Sequence, residues 1–291
     1  MREVKGVKRL PENRLFRFCY LMVRRYLRHG VGVQAAALAF YLLFMIFPFL
    51  IFLSALLGLL HLDVASILTA LEEVMPAEVV DLIGVYLMYV RENSSLRLMM
   101  FGLLFSIWFP MRAVNSLMRA VRTAYHLGPP HAAVKHTVKS LLYTVLLIST
   151  IALTLTALSV SDWLLQYAVA NFRLPGFIAL LWGKLRFPVA GFAGFFALYA
   201  LYALAQDGRQ SLRNIWPGTV SALGAWLVLS WLYNFYVEHI AHYSALYGSI
   251  GTIIVLLIWL NMSAVTFIMG AEMNGVLMNM RGGIEEREDH I

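Results

Sequence analysis

Six uninterrupted apolar segments constrain this chain more than any other feature: Ala35–Leu60, Leu98–Ala120, Ser140–Val160, Phe187–Ala205, Ile215–Val237 and Gly248–Gly270. At about 1.5 Å per helical residue, segments of this length cross roughly 30 Å of bilayer hydrocarbon. In lipid, a crossing chain must satisfy its backbone polar groups internally, as a helix or a closed barrel. The runs are continuous rather than alternating, which favours helices. The 60% hydrophobic and 13% charged residues fit this reading, because a soluble domain has only about 45–50% apolar and about 25% charged residues.

The fold class is therefore an all-α polytopic transmembrane bundle of six helices. Residues 1–34 form a basic cytoplasmic arm that includes an N-terminal amphipathic interfacial helix, 35–275 the six-span domain, and 276–291 a polar cytoplasmic tail. The long polar and amphipathic stretch before the first span argues against a cleaved signal peptide.

Eighteen of the 23 Lys and Arg residues fall on one side of this topology and five on the other. Positively charged connections stay inside, so both termini are expected in the cytoplasm. The net charge of +7 is then explained by topology rather than by a nucleic-acid partner, and none is expected. The single Cys19 excludes an intramolecular disulfide.

Between the first two spans lie six acids, Asp63, Glu72, Glu73, Glu78, Asp81 and Glu92, and an apolar piece, Val79–Val90, too short to cross. Short interfacial helices in this outer loop are the natural expectation, with Pro76 at a helix start. On the inner side, Arg14, Arg17, Arg24, Arg25 and Arg28 fall within one helical arc opposite Phe16, Cys19, Val23 and Leu27. This pattern predicts a helix on an anionic leaflet, serving either lipid recognition or simple anchoring.

Ionisable residues inside spans are costly and hence candidates for function. Arg112, Asn115, Arg119 and Arg122 are spaced three, four and three apart, so they share a helix face. Arg112 lies roughly 21 Å from the span's start at Leu98, and it needs a carboxylate, a carbonyl or a water-filled cavity. Glu272, with Asn274 close by, is the carboxylate near the inner end of another span. A pairing of Arg112 with Glu272 would make either a basic crevice that attracts an anionic headgroup or a structural ion pair.

Pro48 and Pro110 mark possible helix kinks, and Gly191, Gly194, Gly248 and Gly251 permit close helix approach. Glu238, His239 and His242 form an outer polar cluster that lacks the third ligand of a zinc site. A proton-linked role for these histidines stays open, because imidazole titrates near neutrality. His126, His131 and His136, with Lys135 and Lys139, read as a solvated basic loop. No metal, cofactor or catalytic residue is expected, and no phosphate-binding loop for ATP is visible.

Several motifs occur together in order: Gln34-Ala-Ala-Ala-Leu-Ala-Phe-Tyr41, Phe44-Met-Ile-Phe-Pro48, Trp108, Arg112-Ala-Val-Asn-Ser-Leu-Met-Arg119, Pro217-Gly218, Tyr243-Ser-Ala-Leu-Tyr-Gly-Ser-Ile-Gly251 and Gly270-Ala-Glu-Met-Asn274. The combination resembles the YihY/BrkB family across roughly residues 10–280, with Leu246 where the family often has Thr. That resemblance implies a six-helix bacterial inner-membrane protein. Members were once labelled ribonuclease BN, an assignment regarded as mistaken. Others have been associated with serum resistance, lipid or lipopolysaccharide export, and cation/proton exchange.

The short inner loops, without a His and Asp cluster for two metals, disfavour a nuclease. The leading expectation is a transporter or flippase of an anionic lipid-like or amphiphilic substrate, with anionic membrane lipids as partners. The candidate pathway comprises Gln34, Arg112, Asn115, Arg119, Arg122, Glu272 and Asn274. A cation/proton exchanger and a non-transporting scaffold are the alternatives, and the sequence leaves the oligomeric state open.

Overall fold

The computed structural model describes residues 14–60, 68–69, 80–81, 83–85, 96–128, 133–159, 177–206, 211–239 and 249–282, with the side chains at most of those positions. Among these residues every regular element is helical: α1 (Arg14–Arg28), α2 (Val31–Leu60), α3 (Leu96–Ala124), α4 (Ala133–Ser159), α5 (Phe177–Ala205), α6 (Trp216–His239) and α7 (Ser249–Gly282). A single 3-10 turn, Leu212–Asn214, precedes α6.

Five helices are long and apolar enough to cross a membrane, over Val31–Phe52, Met99–Ala124, Pro188–Ala205, Leu212–Val237 and Ile250–Met280. The sequence leads to six. The difference lies in α4, whose described apolar stretch, Thr137–Thr150, is shorter than a full crossing. Two boundaries also shift. α2 begins at Val31, ahead of Ala35, and α7 continues past both Gly270 and residue 275 to Gly282. Hydropathy falls at Glu272 and Asn274, but both side chains are buried against protein, so the helix persists where the apolar run stops.

Of the loop between the first two spans, the short helical pieces at 68–69, 80–81 and 83–85 are described, with Val80 and Ile83 buried. Most of Val79–Val90, along with Pro76, His131, His242 and Gly248, lies outside the described residues.

α2 packs most extensively along α3, α7 lies against α6 and α2, and α4 against α5. The buried apolar cluster gathers at one end of the bundle: Val31 and Leu38 from α2, Val114 and Val121 from α3, Leu201 and Tyr202 from α5, and Ala264 and Ile268 from α7. Helix association in lipid depends on close packing, which small residues permit. A Cβ on Gly102 would sit 2.6 Å from the Phe52 backbone nitrogen, while one on Gly218 would overlap the Gly270 carbonyl oxygen. The close crossings thus use Gly102, Gly218 and Gly270. Gly191 has nothing within 4 Å of a built Cβ, and Gly194 meets only Leu223 at 3.8 Å. Neither makes the tight contact that the sequence suggested. Pro48 and Pro110 both sit buried inside continuous helices, α2 and α3, where each removes one intrahelical hydrogen bond.

Candidate functional site

Where the core gathers, polar groups from four segments interlock. α1 ends at Gly30, whose φ of 61° turns the chain into α2. Gln34, on the first turn of α2, donates through Nε2 to the His29 carbonyl at 2.6 Å and fixes that turn. That bond gives Gln34 a local structural role.

α1 presents Arg25, 3% exposed, to the bundle. Its Nη1 donates to Glu272 Oε2 at 3.2 Å and to the Ala124 carbonyl at 3.0 Å, and its Nη2 lies 2.9 Å from His126 Nε2. Glu272, 1% exposed, also meets His29 Nδ1 through Oε1 at 2.6 Å. The two imidazoles stand edge to face, 5.8 Å between centroids. His126 closes α3 in the left-handed region at φ 53°, with the Leu127 amide returning to the Arg122 carbonyl at 2.9 Å, the bond of a Schellman end. A Cβ on Gly275 would overlap the Ala124 carbonyl oxygen and fall 2.5 Å from Arg25 Nη1. The absent side chain is therefore what admits Arg25.

This geometry corrects the pairing of Glu272 with Arg112. The acid is taken by Arg25 and His29, from a helix the sequence turned toward lipid. Leu21, buried in the middle of the basic arc of α1, was the available signal: an apolar residue inside a charged face marks where that face touches protein.

The arginine stripe on α3 divides. Relative to Arg112, positions 115, 119 and 122 are rotated by about 60°, 20° and 80° in the same sense, at 100° per residue. Arg122 consequently turns inward and is 4% exposed. It donates through Nη1 to the Ala205 carbonyl at 3.0 Å, and through Nη2 and Nε to the Gly128 carbonyl at 2.6 and 3.2 Å. It ties the ends of α3 and α5 together. Arg112 and Arg119 remain exposed. The Arg112 guanidinium lies over the Trp108 ring at 5.1 Å, and no carboxylate pairs with it among the described residues. Asn115 lies between them, its Oδ1 buried without a hydrogen-bond partner among the described residues.

Asn274, fully buried, works as a clasp. Its Oδ1 accepts from the Gly218 amide at 2.6 Å, and its Nδ2 donates to the Ile215 carbonyl at 2.9 Å and the Tyr125 hydroxyl at 3.1 Å. Burial raises the Tyr125 hydroxyl well above the ordinary phenol range, and nearby Glu272 pushes the same way against the Asn274 hydrogen bond. The phenol stays neutral. Glu238 and His239 end α6, but their side chains and all of His242 lie outside the described residues.

Five helices long and apolar enough to cross a bilayer, each satisfying its own backbone, define a multi-pass integral membrane protein. The chain belongs to the BrkB virulence factor family, whose model, "Virulence factor BrkB", matches residues 22–290. It is 30% identical over 266 residues to the Putative ribonuclease-like protein YfkH of Bacillus subtilis (strain 168), covering 91% of this chain and 97% of that one. No solved structure matches. Among the described residues, no group of three or more His, Cys, Asp or Glu side chains is placed to hold a metal ion.

Proposed function

We propose that this protein is a transporter or flippase of an anionic, lipid-like or amphiphilic substrate, and that Arg112 and Arg119 meet its headgroup. The observation that carries the reading is the placement of Arg112 over Trp108, one turn farther from the arginine-rich end of α3. Side chains on a helix lean toward its N-terminus, and here that lean takes the guanidinium deeper into the span rather than out to the near headgroups. A charge held there without a protein carboxylate is served by an anion or by water that enters from the side. Trp108, a good cation–π partner, holds the guanidinium ready.

The reading includes six spans, with α4 as the third, both termini in the cytoplasm, and residence in a bacterial inner membrane. The charge asymmetry and the convergence of α1, the end of α3 and the end of α7 at one pole support that arrangement. α1 lies on the inner interface. Leu15, Phe16, Val23 and Leu27 point outward, 61–72% exposed, while Arg25 and Leu21 face the bundle, an orientation suited to lipid beneath the helix. Ion exchange has less support, because Glu272 is already neutralised by Arg25. A ribonuclease activity, suggested by the relative's name, also lacks a metal-binding cluster among the described residues.

The test is reconstitution in liposomes that carry a labelled anionic phospholipid and a pH-sensitive dye. Lipid movement reduced about tenfold or more by Arg112→Ala, the loss of one charge-assisted contact, is the expected result. Proton flux that depends on Glu272 without lipid movement would overturn the reading in favour of an exchanger. Neither flux would leave a scaffold.

A further inference from the structure

Two cavities lie between α5 and α6, and Trp216 lines both. The first, of about 680 Å³, is a cup of mixed polar and apolar lining formed by Ser211, Leu212, Arg213 and Asn214 of the turn before α6, with Tyr199 from α5. The second, of about 280 Å³, is an apolar trough lined by Pro188, Phe192 and Phe195 from α5 and Val220 and Leu223 from α6. From Trp216 to Leu223 the trough follows roughly 11 Å of helix. Gly191 lies on its wall with nothing within 4 Å of a built Cβ, which leaves the space open.

We propose that this composite groove is a binding site for one anionic phospholipid. The phosphate sits in the cup against Arg213, and the upper part of an acyl chain lies in the trough. The inference does not rest on transport, only on the chain's being a membrane protein. Three observations select this occupant over a protein segment or a free anion. Arg213 is exposed at the cup and pairs with no carboxylate among the described residues. Ser211 and Asn214 add side chains able to hydrogen-bond phosphate oxygens. Trp216 lines both the cup and the apolar trough at the start of a span, with Tyr199 on the cup wall, where amphipathic aromatics mark the headgroup level. The Tyr199 hydroxyl donates to the Leu212 carbonyl at 3.1 Å, which pins the turn that carries Arg213 to α5. An amphiphile with negative charge at one end and hydrocarbon at the other matches both cavities at once.

The experiment uses the full chain, delipidated in mild detergent and titrated with phosphatidylglycerol, phosphatidylcholine and inorganic phosphate, with bound mass read by native mass spectrometry. One tightly bound phosphatidylglycerol per chain, held in preference to phosphatidylcholine, is the expected result. Arg213→Ala weakens phosphatidylglycerol about fivefold, the effect of one basic residue near an anionic headgroup. Gly191→Leu fills the trough and lowers retention of both lipids, and the open space around Gly191 lets the variant keep the parent's unfolding midpoint. Equal retention of the two phospholipids, or indifference to both substitutions, would overturn the proposal. Inorganic phosphate binding as tightly as phosphatidylglycerol would reduce the cup to an anion site and overturn the lipid assignment.

Discussion

Arg122 and Arg112 stand ten residues apart on α3, and their surroundings are opposite. Arg122 is buried and donates to carbonyls from two chain segments, while Arg112 is exposed with an aromatic ring beneath it. The difference comes from helix geometry: ten residues at about 100° each rotate one side chain roughly 80° from the other. That rotation carries Arg122 from the outer face into the packed end of the bundle. Charged residues on one stripe therefore divide into those that hold the fold and those left exposed on its surface.

Substitutions sharpen this contrast in decreasing order of effect on stability. Glu272→Leu leaves Arg25 buried without its partner and is expected to lower stability by about 3–5 kcal/mol, seen as a lower unfolding temperature in detergent. Adding Arg25→Met should recover most of the loss, and a neutral single variant would contradict a closed ion pair. Arg122→Met removes charged donors from the Ala205 and Gly128 carbonyls and is expected to cost about 2–3 kcal/mol by the same measurement. Asn274→Leu, which strands the Gly218 amide, should cost about 1–3 kcal/mol. Arg112→Met lies at the other extreme. It should shift stability by less than about 0.5 kcal/mol while reducing the lipid movement proposed for it about tenfold or more. An Arg112 variant as unstable as the Arg122 variant would erase the distinction.

Much of the fold was legible because hydrophobic segments of membrane length need no tertiary information. α2, α3 and α5 extend over the apolar runs that announce them, and the motifs from Gln34 to Asn274 identified the family to which the chain belongs. Helix roll was not legible. Periodicity placed Arg122 and Arg112 on one broad face, yet it carries no information on where a neighbouring helix begins to cover that face. The partner of Glu272 was hidden for a similar reason. An arginine-rich amphipathic helix satisfies the same sequence pattern whether its charges face headgroups or a buried carboxylate, and only Leu21 within the arc points to the latter. Asn274 was recognised as polar and near a span end. Its link to the start of α6 depends on the Gly218–Gly270 crossing, which sequence alone does not locate.

The missing side chain at Gly275 has a mechanical consequence. Arg25 from α1, the Ala124 carbonyl at the end of α3 and the backbone of α7 meet at one point without slack. Turning α7 about its axis by a single residue would drive the Cβ of Asn274 or Val276 into that point. These three segments are geared together: rotation of α7 at Gly275 requires Arg25, and with it α1, to move out of the way.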